Sequence, residues 1–154
     1  MIVAGMRRIV LALAAVTVPL AGCGDDSGLS RGEFQKQGNA ICKQGDIQLA
    51  EKGKTLFGPD GQAPPTADAL AAYFRDDALP VARRKLDGLQ QLEPPKGDRK
   101  TFEQMLAAGR RAIDRVDQEL KRDPVAYFSA QGPDPFEEFN RLAIDLGLAD
   151  CADR

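Results

Sequence analysis

Residues 98–124 read DRKTFEQMLAAGRRAIDRVDQELKRDP and carry the most regular hydrophobic pattern in this chain of 154 residues. Apolar and small residues recur there three or four positions apart, which is the spacing of one helix face. They are Phe102, Met105, Leu106, Gly109, Ile113, Val116 and Leu120. On the opposite face, Arg110 and Asp114 are four positions apart, as are Asp117 and Lys121, a spacing typical of solvated helix pairs. The pattern predicts a long amphipathic helix that Asp98 opens and Pro124 ends.

A first helix is predicted to begin at Ser30, because Ser30-Arg31-Gly32-Glu33 is a capping box. We expect this helix to end near Gly53. Two glycines within it, Gly38 and Gly45, each weaken it by up to about 1 kcal/mol relative to alanine unless a neighbouring element packs closely there. Its apolar residues at near-heptad spacing are Phe34, Ile41 and Leu49.

A second helix is predicted from Thr66, after a loop over Lys52 to Pro65 that is rich in glycine and proline. Pro80 lies inside its apolar stripe and predicts a kink or a break at Leu79-Pro80, because proline lacks an amide donor and clashes with the preceding turn. The helix is expected to stop at Glu93-Pro94-Pro95. Its stripe consists of Leu70, Tyr73, Phe74, Val81, Leu86 and Leu89.

The last helix is predicted near the C-terminus. Asp123-Pro124 and Asp134-Pro135 are both typical of an N-cap followed by proline, and Asp134 with Glu137 predicts a second capping box. Gly147 is expected to end this helix. Because no strand is predicted, the expected fold class is all-α, an irregular up-and-down helical bundle of about four helices. The apolar residues of the last helix are Phe139, Leu142, Ala143 and Leu146.

Residues 1–22 have the layout of a secretory signal. Arg7 and Arg8 precede 12 uncharged residues, Ile9 to Leu20, fewer than the roughly 18 to 20 that a membrane-spanning helix needs. Met6 is as good a translation start as Met1, and the interpretation is the same for either start. Export from the cytoplasm is therefore predicted.

The stretch Leu20-Ala21-Gly22-Cys23 resembles the lipobox of bacterial lipoproteins. The resemblance implies cleavage before Cys23 and a thioether-linked diacylglycerol on it, with no other cofactor expected. An ordinary signal with a coincidental cysteine is the alternative interpretation. Residues 24–29 are small and polar and predict a flexible tether of at most about 20 Å. A helical domain over residues 30–154 is then expected close to the membrane.

Two further cysteines, Cys42 and Cys151, follow in a chain expected on the oxidising side of a membrane. A disulfide between them is therefore predicted. A zinc site is disfavoured, because the chain has no histidine and two thiolates do not complete tetrahedral coordination. A redox pair is a weaker alternative, since the Cys-x-x-Cys spacing is absent.

The chain from Phe34 to Cys151 resembles a loose group of small uncharacterised lipoproteins from high-GC Gram-positive bacteria. The matching stretches are Asn39-Ala40-Ile41-Cys42, Leu89-Gln90-Gln91-Leu92-Glu93-Pro94-Pro95 and Gly147-Leu148-Ala149-Asp150-Cys151, together with Phe34. The resemblance implies an extracytoplasmic, membrane-anchored domain. It brings no known activity and no site residues with it.

The composition argues against an enzyme and against a nucleic-acid partner. Without histidine, Ser-His-Asp and Cys-His catalysis and imidazole metal sites are excluded. The carboxylate pairs Asp76-Asp77 and Glu137-Glu138 are adjacent on predicted helices, so their side chains diverge. Loss of Arg7 and Arg8 with the signal leaves 19 basic against 23 acidic residues, whereas nucleic-acid binding normally requires a basic face.

Two roles remain after these exclusions. The first is a tethered module that recognises a protein or an envelope component, through Arg83-Arg84-Lys85 or through the Lys52 to Pro65 loop. The three basic residues are better interpreted as the solvated face of a helix. The second role is a carrier or sensor of a small apolar ligand held between helices. The residues expected to line that site are Tyr73, Phe74, Phe102 and Met105. A domain of this size also needs these residues for its core.

Overall fold

The computed structural model describes residues 28–57, 66–130 and 132–152, and within these ranges the chain forms helices and no strand. The predicted all-α class is therefore confirmed. Cys23, residues 24–27 of the tether and residues 58–65 of the loop lie outside the described residues. In chain order the elements are α1 (Arg31–Phe57), α2 (Ala67–Tyr73), a π-helical turn (Phe74–Ala78), α3 (Leu79–Gln90), α4 (Arg99–Arg122), α5 (Pro124–Ser129), α6 (Glu137–Asp145) and a 3-10 turn (Ala149–Cys151).

The long helices alternate in direction, as predicted for an up-and-down bundle. α3 packs between α1 and α4, and α4 packs against α6. Contacts of Gly45 with Lys85 and of Gly88 with Ile41 show that α1 and α3 are antiparallel. The most regular helix predicted from the sequence is at the centre, because its apolar stripe is buried against both neighbours. The buried residues of α4 are Phe102, Met105, Leu106, Ala108, Gly109, Ala112, Ile113, Val116 and Leu120.

The start of α1 agrees with the predicted capping box, whereas its end does not. The Glu33 amide donates to the Ser30 hydroxyl at 3.3 Å, and the Ser30 amide donates to the Glu33 carboxylate at 3.2 Å. Two hydrogen bonds from Ser30 lower the pKa of Glu33. The bond from the hydroxyl has the larger effect and the bond from the backbone amide the smaller one. The helix continues to Phe57, so the predicted end near Gly53 is wrong and Lys52 to Phe57 are not loop residues. Lys52 instead pairs with Asp77 at 2.8 Å, which ties this last turn to the π-helical turn.

Both interior glycines of α1 face a packed neighbour. A Cβ at Gly38 would lie 2.5 Å from Cδ2 of Leu148, and the methylene chain of Lys85 lies directly over Gly45. Each glycine is buried and, with Phe34 and Cys42, belongs to the face of α1 that points into the bundle. The helix propensity lost at these positions is therefore offset by close packing of a neighbouring element.

Pro80 follows directly after a change in helical register. Thr66 caps α2 by accepting a hydrogen bond from the Ala69 amide at 3.2 Å, as predicted. At the other end of the π-helical turn, the Leu79 amide donates to the carbonyl of Phe74, five residues back. The chain thus remains helical from residue 67 to residue 90, and the irregularity predicted at Leu79-Pro80 has the form of a π-helical turn. The wider turn accommodates a residue that cannot donate an amide hydrogen bond.

The C-terminal helix ends as predicted but begins later. Gly147 has φ of +75°, and the Leu148 amide donates to the Ala143 carbonyl at 2.8 Å, which is a Schellman ending. At the other end, Asp134 accepts from the Phe136 amide at 2.9 Å, so it stabilises the turn at Pro135-Phe136. α6 begins only at Glu137. The prediction that Asp134 caps this helix directly is therefore wrong, whereas Asp123 does cap α5.

Candidate functional site

A disulfide between Cys42 and Cys151 joins the middle of α1 to the C-terminal 3-10 turn. The two Cα atoms are 5.0 Å apart, the cysteines are 109 positions apart in sequence, and both are buried. The predicted pairing is confirmed. It closes the bundle, because it fixes the last described element to the first one.

Two amide side chains of α1 hold the C-terminal segment beside this disulfide. Asn39 donates to the Gly147 carbonyl at 3.1 Å and accepts from the Asp150 amide at 2.9 Å. Gln35 donates to the Leu146 carbonyl at 3.1 Å. These hydrogen bonds to the C-terminal segment were not predicted from the sequence. The available signal was the spacing of Gln35 and Asn39 by four residues, on one helix face just before Cys42.

A cleft of about 180 Å³ opens between α1 on one side and α4 and α6 on the other. We call it the apolar cleft. The π-helical turn and α3 form the rest of its wall. Its floor consists of buried apolar side chains, Leu79, Leu86, Ile113, Val116 and Phe139. Its rim consists of partly exposed ones, Leu49, Phe74, Ala78, Ala82 and Phe136. Cys151 also lines it, so the cleft lies next to the disulfide.

Three polar residues complete the lining of the apolar cleft, namely Asp46, Lys85 and Asn140. Lys85 Nζ pairs with Asp46 Oδ1 at 2.7 Å, and the lysine side chain is only 18% exposed because its methylenes lie over Gly45. The Asn140 amide donates to Asp134 at 3.2 Å. The charges at the rim therefore balance, and the cleft offers apolar walls with a neutral polar edge.

A second concave surface lies where α4 ends. This groove, of about 470 Å³, is formed by the last turns of α4, by α5 and by the segment that precedes α6. We call it the end groove. Among its lining residues are Arg115, Glu119, Arg122, Tyr127, Phe128, Pro133 and Pro135. Both signs of charge are present, with Arg115 paired to Glu119 at 3.0 Å.

Aromatic rings connect the end groove to the core. Tyr127 and Phe128 are in edge contact with ring centroids 5.2 Å apart, and Phe128 lies 5.7 Å from Phe74. Burial is the main cause that raises the pKa of Tyr127, and the negative charges of Glu119 and Asp134 raise it further. The phenol of Tyr127 is therefore a neutral hydrogen-bonding group at ordinary pH.

The four residues predicted to line a ligand site are divided between two regions. Tyr73 and Phe74 are in edge contact, and the Tyr73 hydroxyl donates to the Leu49 carbonyl at 3.2 Å. Phe102 instead packs against Phe34 with ring centroids 5.1 Å apart, and Met105 is fully buried. Of the four, Phe74 lines the apolar cleft. Phe102 lies 11 residues before the floor residue Ile113 on α4, about 16 Å along the helix axis.

The stretch Arg83-Arg84-Lys85 contacts neighbouring helices with all three side chains. The pairs are Arg83 with Asp117 at 3.6 Å, Arg84 with Gln48 at 3.4 Å and Lys85 with Asp46 at 2.7 Å. Arg83 and Arg84 are exposed, as expected for a solvated helix face, whereas Lys85 is only 18% exposed. Because its side chains are engaged with α1 and α4, the stretch is less suited to recognition than the end groove.

No family model, curated protein or solved structure matches the chain. Within residues 28–57, 66–130 and 132–152, no helix combines the length and apolar character needed to cross a membrane. The same described ranges contain no group of three or more His, Cys, Asp or Glu side chains arranged to hold a metal ion.

Proposed function

We propose that the protein is a membrane-anchored extracytoplasmic lipoprotein whose helical domain recognises a protein or another component of the cell envelope. The observation that carries its location is the buried disulfide between Cys42 and Cys151. Such bonds persist in oxidising compartments and are rare in the cytoplasm. The signal layout of residues 1–22 and the resemblance of Leu20 to Cys23 to a lipobox support the same location and the covalent diacylglycerol on Cys23.

The direction of α1 relative to the proposed anchor supports recognition at the end groove. The Leu29 amide donates to the Glu93 carbonyl at 2.9 Å, and Arg31 pairs with Asp98 at 3.7 Å. The start of the domain is thus held against the connection between α3 and α4. From there α1 rises over 27 residues, about 40 Å. Because α4 starts beside Leu29 and ends at the end groove, the groove is at the far end from the lipid.

The chemistry of the end groove suits a protein or a polar envelope component. Tyrosine, phenylalanine and arginine are enriched in protein–protein interfaces. Each provides a large contact area, and tyrosine and arginine add hydrogen-bonding groups. The groove contains Tyr127, Phe128 and Arg122, and α5 beside it exposes 59% of Val125. The proposal includes no catalytic step and no nucleic acid, consistent with a chain that has no histidine and a mildly acidic mature composition.

Site-specific photo-cross-linking in intact cells tests this proposal. A photoreactive side chain is introduced at Val125 on α5, and in a matched control at Ile144 on α6, because the two residues are exposed to a similar extent, 59% and 61%. We expect a discrete adduct from Val125 and none from Ile144, with mass spectrometry of the adduct identifying the partner. Equal adducts from both positions, or none from Val125, would contradict recognition at the end groove.

A further inference from the structure

We propose that the apolar cleft binds a small, uncharged and largely apolar molecule of about six to eight non-hydrogen atoms, with at most one hydrogen-bonding group. The molecule is a ring or a branched aliphatic compound. This site is separate from the end groove, and its occupancy does not depend on recognition there. The inference follows from the volume of the cleft, from its shape and from the charges at its rim.

The volume sets the size of the ligand. Protein interiors are packed as densely as organic crystals, whereas the apolar walls of an open cleft lack part of these contacts, which a ligand can supply. An apolar cavity of about 150 Å³ is large enough for benzene. The apolar cleft, at about 180 Å³, has room for one six-membered ring with a small substituent. Ile113 and Val116, 2% and 1% exposed, form its floor.

The local backbone explains why the cleft is open. The π-helical turn places Phe74 and Ala78 along one side of it, and Leu79, the first residue of α3, follows them. π-Helical turns are rare in proteins as a whole, but those that occur are often located at functional sites. One helical turn further on, Ala82 contributes only a methyl group to the rim. Larger side chains at Ala78 or Ala82 would fill the space, so the opening depends on these two small residues.

The charges at the rim determine the polarity of the ligand. The ammonium of Lys85 is already balanced by the carboxylate of Asp46 at 2.7 Å. This neutral pair gives no net attraction to an anion or to a cation, and either would lose its water on entering the apolar floor. A neutral hydroxyl, in contrast, can accept from Lys85 or donate to Asp46 while the rest of the ligand stays in apolar contact.

Methyl NMR spectroscopy with three probes of similar size tests the proposal. The sample is the purified Cys23→Ser protein with its disulfide intact, in buffer without detergent, titrated separately with benzene, phenol and benzoate. We expect benzene and phenol to shift the methyl signals of Ile113 and Val116 saturably, and benzoate to bind at least about tenfold more weakly. Absence of saturable shifts with benzene and phenol would overturn the proposal. Benzoate binding as tightly as phenol would overturn the assignment to an uncharged ligand.

A filled cleft provides the second arm of the test. Ala82→Leu places a larger side chain at the rim, and Ala50→Leu makes the same change at an exposed position of α1 outside the cleft. We expect affinity for benzene to fall about tenfold or more in the first variant and to stay unchanged in the second. If Ala82→Leu does not give a folded spectrum, Ala78→Leu takes its place. Undiminished binding in the folded filled variant would show that the ligand lies elsewhere.

Discussion

The side chain of Leu148 lies against the backbone of Gly38, so that the segment after α6 packs directly on α1. A Cβ at Gly38 would lie 2.5 Å from Cδ2 of Leu148, and Leu148 is fully buried. The disulfide lies four residues further along α1, at Cys42. Close packing and a covalent bond therefore hold the same two elements together, and each can be tested by itself.

Substitution of Gly38 by alanine is expected to destabilise the fold. The added methyl group overlaps Cδ2 of Leu148, which is fully buried and must shift, and overpacking of this kind costs about 1–3 kcal/mol. That loss exceeds the gain in helix propensity of up to about 1 kcal/mol. Urea denaturation of the oxidised protein measures the difference.

Gly32→Ala is the matched control, because nothing lies within 4 Å of the corresponding Cβ position in the first turn of the same helix. This variant is expected to be as stable as the unmodified protein or more stable by up to about 1 kcal/mol. If both variants gained stability equally, the packing of Leu148 on Gly38 would not be a constraint on the fold.

Loss of the disulfide is expected to lower the free energy of unfolding by about 4–5 kcal/mol, less any strain, because the bond closes a loop of roughly 110 residues in the unfolded chain. The comparison is between the protein and its Cys42→Ala/Cys151→Ala variant, each measured with and without reductant. Only the protein with both cysteines should respond to reductant. Equal melting temperatures of the protein in both conditions would argue against a stabilising role.

The elements that the sequence predicted well are those whose signals are local. The apolar stripe of α4 repeats at helical spacing over its whole length, and Ser30, Thr66, Asp123 and Gly147 act within three or four residues of themselves. Each of these predictions needed no knowledge of the neighbouring helices. The fold class followed from them, and the disulfide followed from the number of cysteines and the predicted export of the chain.

The predictions that failed depend on contacts between elements. α1 continues to Phe57 although residues 51–55 are polar or glycine, and Lys52 there pairs with Asp77 of the π-helical turn. The apolar cleft is likewise formed by residues distant in sequence, such as Ala82 and Ile113. Hydrophobic spacing identified apolar residues but not which of them leave a space between helices. Gly45 was the local signal that α3 approaches α1 closely beside the apolar cleft, because the side chain of Lys85 packs over this glycine.

Stability is expected to depend on the charge of Asp117 in acidic solution, below about pH 4. A hydrogen bond from Lys121, supported by the positive charges of Lys121, Arg83 and Arg75, holds the pKa of Asp117 below its usual range, although burial acts in the opposite direction. The unfolded chain has an ordinary aspartate pKa of about 3.9. The stabilisation is therefore complete above that pH and is lost as the pH falls through the lower pKa of the folded protein.

The variant Asp117→Asn should accordingly be less stable than the unmodified protein at pH 7, and this difference should shrink at acidic pH. Chemical denaturation at several pH values measures it, with Asp114→Asn, the same change at an exposed position of α4, as the control. A stability difference that does not vary with pH would show that Asp117 acts through packing or hydrogen bonding and not through its charge.

The proposed lipid anchor predicts that Cys23→Ser releases the protein from the membrane or leaves its signal uncleaved. Each buried methylene of an acyl chain contributes about 0.8 kcal/mol, so removal of the acylated thiol removes the whole attachment. Cell fractionation followed by intact mass measurement distinguishes the two outcomes. The Cys42→Ala/Cys151→Ala variant is the control for loss of cysteine, and it should remain at the membrane because both residues are buried in the domain. Normal cleavage of Cys23→Ser with unchanged membrane attachment would refute the anchor.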